Sequence, residues 1–283
     1  MGRDVVSAVK AGFLNIGHRG ARSLAPENTL AAAGKAFEIG AHMWELDVRL
    51  SRDGHPVVVH DETLERTSDV RTRFPERKPW RVCEFSLDEL KSLDFGSWFN
   101  TADPFKQIAA GHVAASETAR YGAERIPTLE EALLFTVRND WLVNVEIKDL
   151  SGLPGHDAVA RKTADLIVST GALEKVIVSS FNHDYLVRVK KLERRIPTGP
   201  LVKSPPVDPV ALMRELGAFT YHPAVRALRP RHLQNLGARG FGVLVWVVNS
   251  PVAARTLLRH GAAGVFSDFP QRLHDTFESE RRR

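Results

Sequence analysis

The chain has 283 residues, 43% hydrophobic and 26% charged, enough to bury a substantial core in one large α/β domain or two small ones and too apolar for intrinsic disorder. Its apolar runs fall short of the roughly 20 residues of a membrane-spanning helix, its first residues lack the signature of a signal peptide, and its one cysteine, Cys83, has no intramolecular partner, so a cytoplasmic setting is expected. A formal net charge of +5 favours an anionic ligand, but no basic stripe interleaved with aromatics accompanies it, and a nucleic-acid partner is not expected.

Short apolar runs alternate with helix-period segments along the chain. A strand at 13–17 precedes a helix within 27–41, and a strand at 44–50 follows. After a long irregular stretch come a helix at 127–139, a strand at 142–148, a helix at 156–172, a strand at 176–181 and a helix at 184–195. Strands at 198–203, 218–222, 242–248 and 263–267 then alternate with helices at 209–217, 229–240 and 251–262, and a helix at 271–283 closes the chain. Eight such units in one chain of this length predict a single (β/α)8 barrel domain, with a doubly wound open sheet as the alternative that spacing alone leaves open.

The run PVVVH at 56–60 stands outside this count. The residues separating it from the preceding strand are too few for a parallel crossover, so it is expected to fold back as an antiparallel hairpin on Asp53 and Gly54. A two-residue turn sets His60 opposite Asp47, and a four-residue turn sets it opposite Glu45. The stretch at 71–124 is expected to be an insertion over the barrel mouth, in which Phe95, Trp98, Phe99 and Phe105 either pack together or line a substrate.

In WELDVRL, alternation turns Glu45, Asp47 and Arg49 to one face, and in LVNVEIK it does the same for Asn144, Glu146 and Lys148. Barrel strands are ordinarily apolar on both faces, so acids pointing inward from two strands require a countercharge. An all-oxygen set of Glu45, Asp47 and Glu146 suits one divalent cation, Mg²⁺ or Ca²⁺, and ordinary pairing with Arg49 or Lys148 is the bland alternative. His18 directly follows the first strand, where barrel enzymes carry reactive groups, and the hairpin returns His60 to the same neighbourhood; beside a cation the two read as an acid and base pair. Arg19 and Lys148 add positive charge suited to a dianion or a phosphodiester, while PENTL is expected to open the first helix with Asn28 as its cap.

The ordered set HRG (18–20), PENT (26–29), ELDV (45–48), DGHPVVVHDETLERT (53–67), RIPTLEEAL (125–133), VEIK (145–148), SSF (179–181), VWVVN (245–249) and SDFP (267–270) resembles the glycerophosphodiester phosphodiesterase family. The resemblance implies a (β/α)8 barrel with an insertion near 71–124. It also implies hydrolysis of small-molecule glycerophosphodiesters to glycerol 3-phosphate and an alcohol. By the same resemblance His18 and His60 are the acid and base, and Glu45, Asp47 and Glu146 are ligands of one divalent metal. Arg19 and Lys148 contact phosphate, and Trp246 walls the glycerol side. Two other functions are weighed against this one: a lysophospholipase D-like or other lipid phosphodiesterase, and a catalytically silent phosphodiester-binding module. The sequence carries no signal that sets an oligomeric state.

Overall fold

In the computed structural model, which describes residues 4–122 and 124–281, the strands are β1 (Leu14–Gly17), β2 (Met43–Leu50), β3 (Pro56–Val58), β4 (Val143–Ile147), β5 (Val176–Ser180), β6 (Thr198–Val202), β7 (Thr220–Pro223), β8 (Gly242–Val245) and β9 (Gly264–Ser267). Apart from β3, each pairs in parallel with its neighbours, and β9 returns to β1 while β1 also pairs β2. The sheet therefore closes into a (β/α)8 barrel, and the open-sheet alternative falls away. The closing helix spans Pro270–Arg281, so the last two residues of the expected helix, Arg282 and Arg283, lie outside the described residues.

Alternation along β2 and β4 has the expected consequence. Leu46, Val48 and Leu50 share one cluster with Val143, Val145, Ile147 and the helix residues Ala132, Leu133 and Ile167, all essentially buried, so these side chains form the layer between barrel and helices. The opposite faces of the same strands turn into the barrel and carry the acids. Below them Leu14, Ile16, Met43, Leu142, Ile177 and Leu244 fill the interior together with Val5, Ala8 and Val9 of a short helix, Val5–Ala11. That helix, which the alternating pattern does not predict, closes the N-terminal end of the barrel. Its N-cap is Asp4, which accepts from the Ser7 N–H at 2.8 Å.

The hairpin forms in a register between the two expected ones. Leu50 pairs with Pro56 and Val48 with Val58, and the Val59 N–H donates to the Asp47 carbonyl at 2.9 Å. The connection is a three-residue loop, Arg52 to Gly54, in which Gly54 takes the left-handed conformation (φ 80°) and the Ser51 N–H donates to the His55 carbonyl. His60 therefore lies past the end of β3 rather than directly opposite Asp47 or Glu45. Residues 71–124 form short helices, among them Leu87–Ser92, Ser97–Ala102 and Ala115–Tyr121, with Ala123 outside the described residues. Phe95 and Phe99 are buried there, Trp98 meets Phe99 edge to face, and Phe105 does the same with Phe269, so the four aromatics serve packing.

Candidate active site

A cleft of about 280 Å³ opens where barrel strands end, and His18, Arg19, Glu45, His60, Glu146, Lys148 and Trp246 all line it. Asp47 lies beneath, 1% exposed. The turn after β1 supplies the first two. The His18 N–H donates to the Ser267 carbonyl at 2.9 Å, which ties the turn to β9. Gly20 follows in the left-handed region (φ 81°), where a Cβ would lie 2.6 Å from the Ala32 carbonyl carbon, so only glycine fits. Arg19, also left-handed at φ 56°, thereby aims its N–H at Glu45 Oε2, 2.8 Å away.

The acids meet because of register. Asp47 is paired with Glu146 across β2 and β4, and Glu45 sits two residues before Asp47 on the same inward face. One oxygen from each of Glu45, Asp47 and Glu146 lies within 4.8 Å of the other two. Lys148 Nζ donates to Glu146 Oε1 at 2.6 Å and lies 3.3 Å from Asp47 Oδ1, while Arg19 Nε lies 3.2 Å from Asp47 Oδ2. Arg49 takes no part in this pairing; its Nε donates to the His60 carbonyl at 2.9 Å and steadies the chain where the hairpin ends. Asn28 does not cap the first helix. Thr29 does, accepting from the Ala32 N–H at 3.2 Å, and the Asn28 amide instead donates to Asp47 Oδ2 at 2.9 Å.

These pairings leave Glu45 short of charge compensation. Its Oε1 is buried with no hydrogen-bond partner. Burial, with Asp47 and Glu146 adding like-charge repulsion, pushes its carboxyl well above the usual carboxylate range. Burial likewise raises Glu146. Burial works against Asp47 too, but Lys148 and Arg19 outweigh it and hold that carboxyl well below its ordinary range. An orphaned oxygen inside an all-oxygen, carboxylate-rich pocket is what a hard divalent cation would satisfy, so the residues present fit such an ion.

Each histidine has a carboxylate behind it. His18 Nδ1 lies 2.7 Å from Asp268 Oδ1, and His60 Nδ1 lies 2.6 Å from Asp61 Oδ1. A carboxylate at Nδ1 favours the proton there and leaves Nε2 facing away from it, free to accept or donate a hydrogen bond. His18 Nε2 is 4.0 Å from Glu45 Oε2. Burial holds the His18 imidazole down, at about 4, although Asp268 pulls the other way. Asp268 is itself oriented by Asn249, whose amide donates to Oδ2 at 2.9 Å and whose Oδ1 accepts from the Asp268 N–H. Reasoning from the sequence missed Asp61, Asp268 and Asn249. The letters stood inside DGHPVVVHDETLERT, SDFP and VWVVN, but their partnership is made in space.

The far wall is apolar: Phe181, Leu201, Val247 and Phe266 accompany Trp246. Trp246 Nε1 donates to the His222 carbonyl at 2.8 Å and the ring meets Phe181 edge to face at 5.5 Å, so its plane is fixed. The cleft is thus charged on the side of β1, β2 and β4 and apolar on the side of β5, β6, β8 and β9.

The sequence matches the Glycerophosphoryl diester phosphodiesterase family over residues 18–272. A glycerophosphodiester phosphodiesterase of Caldanaerobacter subterraneus is 33% identical over 260 residues, covering 92% of this chain and 96% of the relative. One of Bacillus subtilis is 28% identical over 276 residues, covering 93% and 85% respectively. Among solved structures, an Oleispira antarctica phosphodiesterase in complex with its product sn-glycerol-3-phosphate superimposes with a TM-score of 0.76 at 29% identity, covering 93% of this chain and 96% of that one.

Proposed function

Because the chain belongs to the glycerophosphoryl diester phosphodiesterase family and is a phosphoric diester hydrolase, we propose that it cleaves a glycerophosphodiester to glycerol 3-phosphate and an alcohol, with His18 and His60 as the acid–base pair and one divalent cation held by Glu45, Asp47 and Glu146. The observation that carries this reading is the pair of imidazoles lining one cleft, each with a carboxylate at Nδ1. Binding alone has no use for two such pairs beside three buried acids, which disfavours a silent binding module.

A Mg²⁺ or Ca²⁺ ion at the acids would offset the diester's negative charge and lower the pKa of a coordinated hydroxyl. The chain's own groups do the rest. Arg19 and Lys148 face the phosphate with fixed positive charge. One imidazole takes a proton at Nε2 from the attacking hydroxyl, that of water or of the glycerol C2, and the other gives one to the departing alkoxide; where the glycerol hydroxyl attacks, water then opens the cyclic phosphate to glycerol 3-phosphate. Asp61 and Asp268 keep both rings in the required tautomer and steady whichever becomes imidazolium. Trp246 closes the glycerol side and excludes water there. The small-molecule occupant follows from the cleft's size, at the low end of ligand pockets.

The apolar wall of Phe181, Leu201 and Phe266 favours a second substrate, a lysolipid whose acyl chain would lie against it. Release of glycerol 3-phosphate from glycerophosphocholine, followed with and without added Mg²⁺ or Ca²⁺ after chelation, tests the main reading; choline release from lysophosphatidylcholine in the same conditions tests the second. Full glycerol 3-phosphate release in chelator would remove the cation from the account.

A further inference from the structure

The carboxylates behind His18 and His60 are joined through a third acid that lies outside the cleft's lining. Glu27, the acid of the PENT turn, has a side chain 3% exposed and receives three guanidinium groups. Its Oε2 accepts from Arg22 at 2.5 Å, and its Oε1 accepts from Arg66 at 2.6 Å and from Arg19 at 2.7 Å. Arg22 also reaches Asp268 Oδ1 at 3.4 Å, the oxygen that His18 contacts. Arg66 Nε donates to Asp61 Oδ2 at 2.6 Å, and the other oxygen of Asp61 meets His60. A continuous path thus runs from His18 through Asp268, Arg22, Glu27, Arg66 and Asp61 to His60. Aromatic rings from the insertion cover both arms, Phe105 lying 5.2 Å from the Arg22 guanidinium and Trp98 lying 5.8 Å from that of Arg66.

We infer that Glu27 is a positioning residue for the reaction, orienting His18 through Arg22 and Asp268 and His60 through Arg66 and Asp61. The inference rests on the reading of the two histidines as the acid–base pair. An imidazole held at a single Nδ1 contact can pivot about it unless the carboxylate is itself fixed, and loose geometry is costly in rate. Burying a carboxylate among guanidinium groups gains little net stability over apolar packing, so the arrangement is better explained by geometry than by stability. Both oxygens of Asp61 are used, one on the ring and one on Arg66, which sets the carboxylate plane and with it the plane of His60.

The experiment is a set of cycles on the whole enzyme, with glycerophosphocholine as substrate and glycerol 3-phosphate release as readout. Arg22→Ala and Arg66→Ala should each lower kcat by about 10- to 100-fold with little change in KM, by analogy with the loss of a hydrogen bond that orients a metal-bound histidine. Placed on His18→Ala, Arg22→Ala should cause no further loss, because its effect runs through that ring; placed on His60→Ala it should still cause one. Arg66→Ala should show the reverse pattern. Glu27→Gln should combine both losses, and if it fails to fold the two arginine cycles decide the matter alone. Equal losses in both histidine backgrounds, or a lower melting point with unchanged kcat in the folded enzyme, would overturn the positioning role while leaving the acid–base reading intact. Near-normal turnover by His18→Ala and His60→Ala themselves would overturn both.

Discussion

Replacing Glu45 by Gln separates a cation site from an ordinary buried ion-pair cluster. Glu45 Oε1 has no protein hydrogen-bond partner and Oε2 accepts one N–H, from Arg19, which an amide oxygen accepts equally well. The substitution also removes one of three mutually repelling acids, so in chelator Glu45→Gln should unfold within about 1 kcal/mol of wild type, or above it. The folded-state pKa of Glu45 is raised above its ordinary 4.5, so the folded chain holds a proton that the unfolded chain has released. Its contribution is therefore fully present below pH 4.5 and is lost as pH rises, a slope that Gln abolishes. With cation at 100 times its Kd, wild type should gain about 2.7 kcal/mol, roughly 4 to 5 °C in Tm for a chain of this size. Glu45→Gln should lose most of that rise. Thermal melts of both proteins in chelator and across a Mg²⁺ and a Ca²⁺ titration give the answer. A variant that melts far below wild type in chelator, or that keeps the full cation-induced rise, would refute the reasoning.

Lys148→Ala should affect both rate and stability, because the side chain is only 12% exposed and bridges two acids rather than standing free at the mouth. In chelator it should unfold about 3 to 5 kcal/mol earlier, as expected for a broken buried pair; added cation should recover stability but not kcat, and a normal kcat would remove it from the phosphate site. His222 is buried with its Nδ1 unpartnered, and burial pushes its pKa down to about 3. The unfolded chain takes up that proton first, so wild type should lose stability as pH falls from about 6.5 towards about 3. Urea midpoints across this range should fall less for His222→Gln, and parallel curves would contradict the assignment.

The parts of this molecule that were legible in the chain are those set by strict period. WELDVRL and LVNVEIK place polar residues at every second position, with apolar residues between them on the face packed against the helices, so Glu45, Asp47 and Glu146 turn into the barrel, and parallel register then brings Asp47 beside Glu146. What was not legible depended on a single residue of offset or on contacts across the fold. The hairpin register turned on whether Gly54 closes a two-, three- or four-residue loop, and its left-handed backbone selects three. Asn28 has the composition of a cap, but its left-handed conformation (φ 59°) aims the amide at Asp47 and leaves capping to Thr29. The helix Val5–Ala11 is too short to show a helical period, and only its packing beneath the barrel reveals it. Asp268 reaches His18 from 250 residues away, a pairing that no spacing rule anticipates.

The proposed division of labour between His18 and His60 is tested most directly by assaying His18→Ala and His60→Ala, each shown to fold and bind cation, on glycerophosphocholine and on a p-nitrophenyl glycerophosphodiester. The variant lacking the acid should lose about 10²- to 10⁴-fold on the choline ester and recover on the p-nitrophenyl ester, whose leaving group departs without a proton. The variant lacking the base should stay impaired on both, since its nucleophile must still be deprotonated. Equal impairment of the two variants on both esters would contradict the paired roles, and near-wild-type turnover of the choline ester by either variant would make that histidine structural.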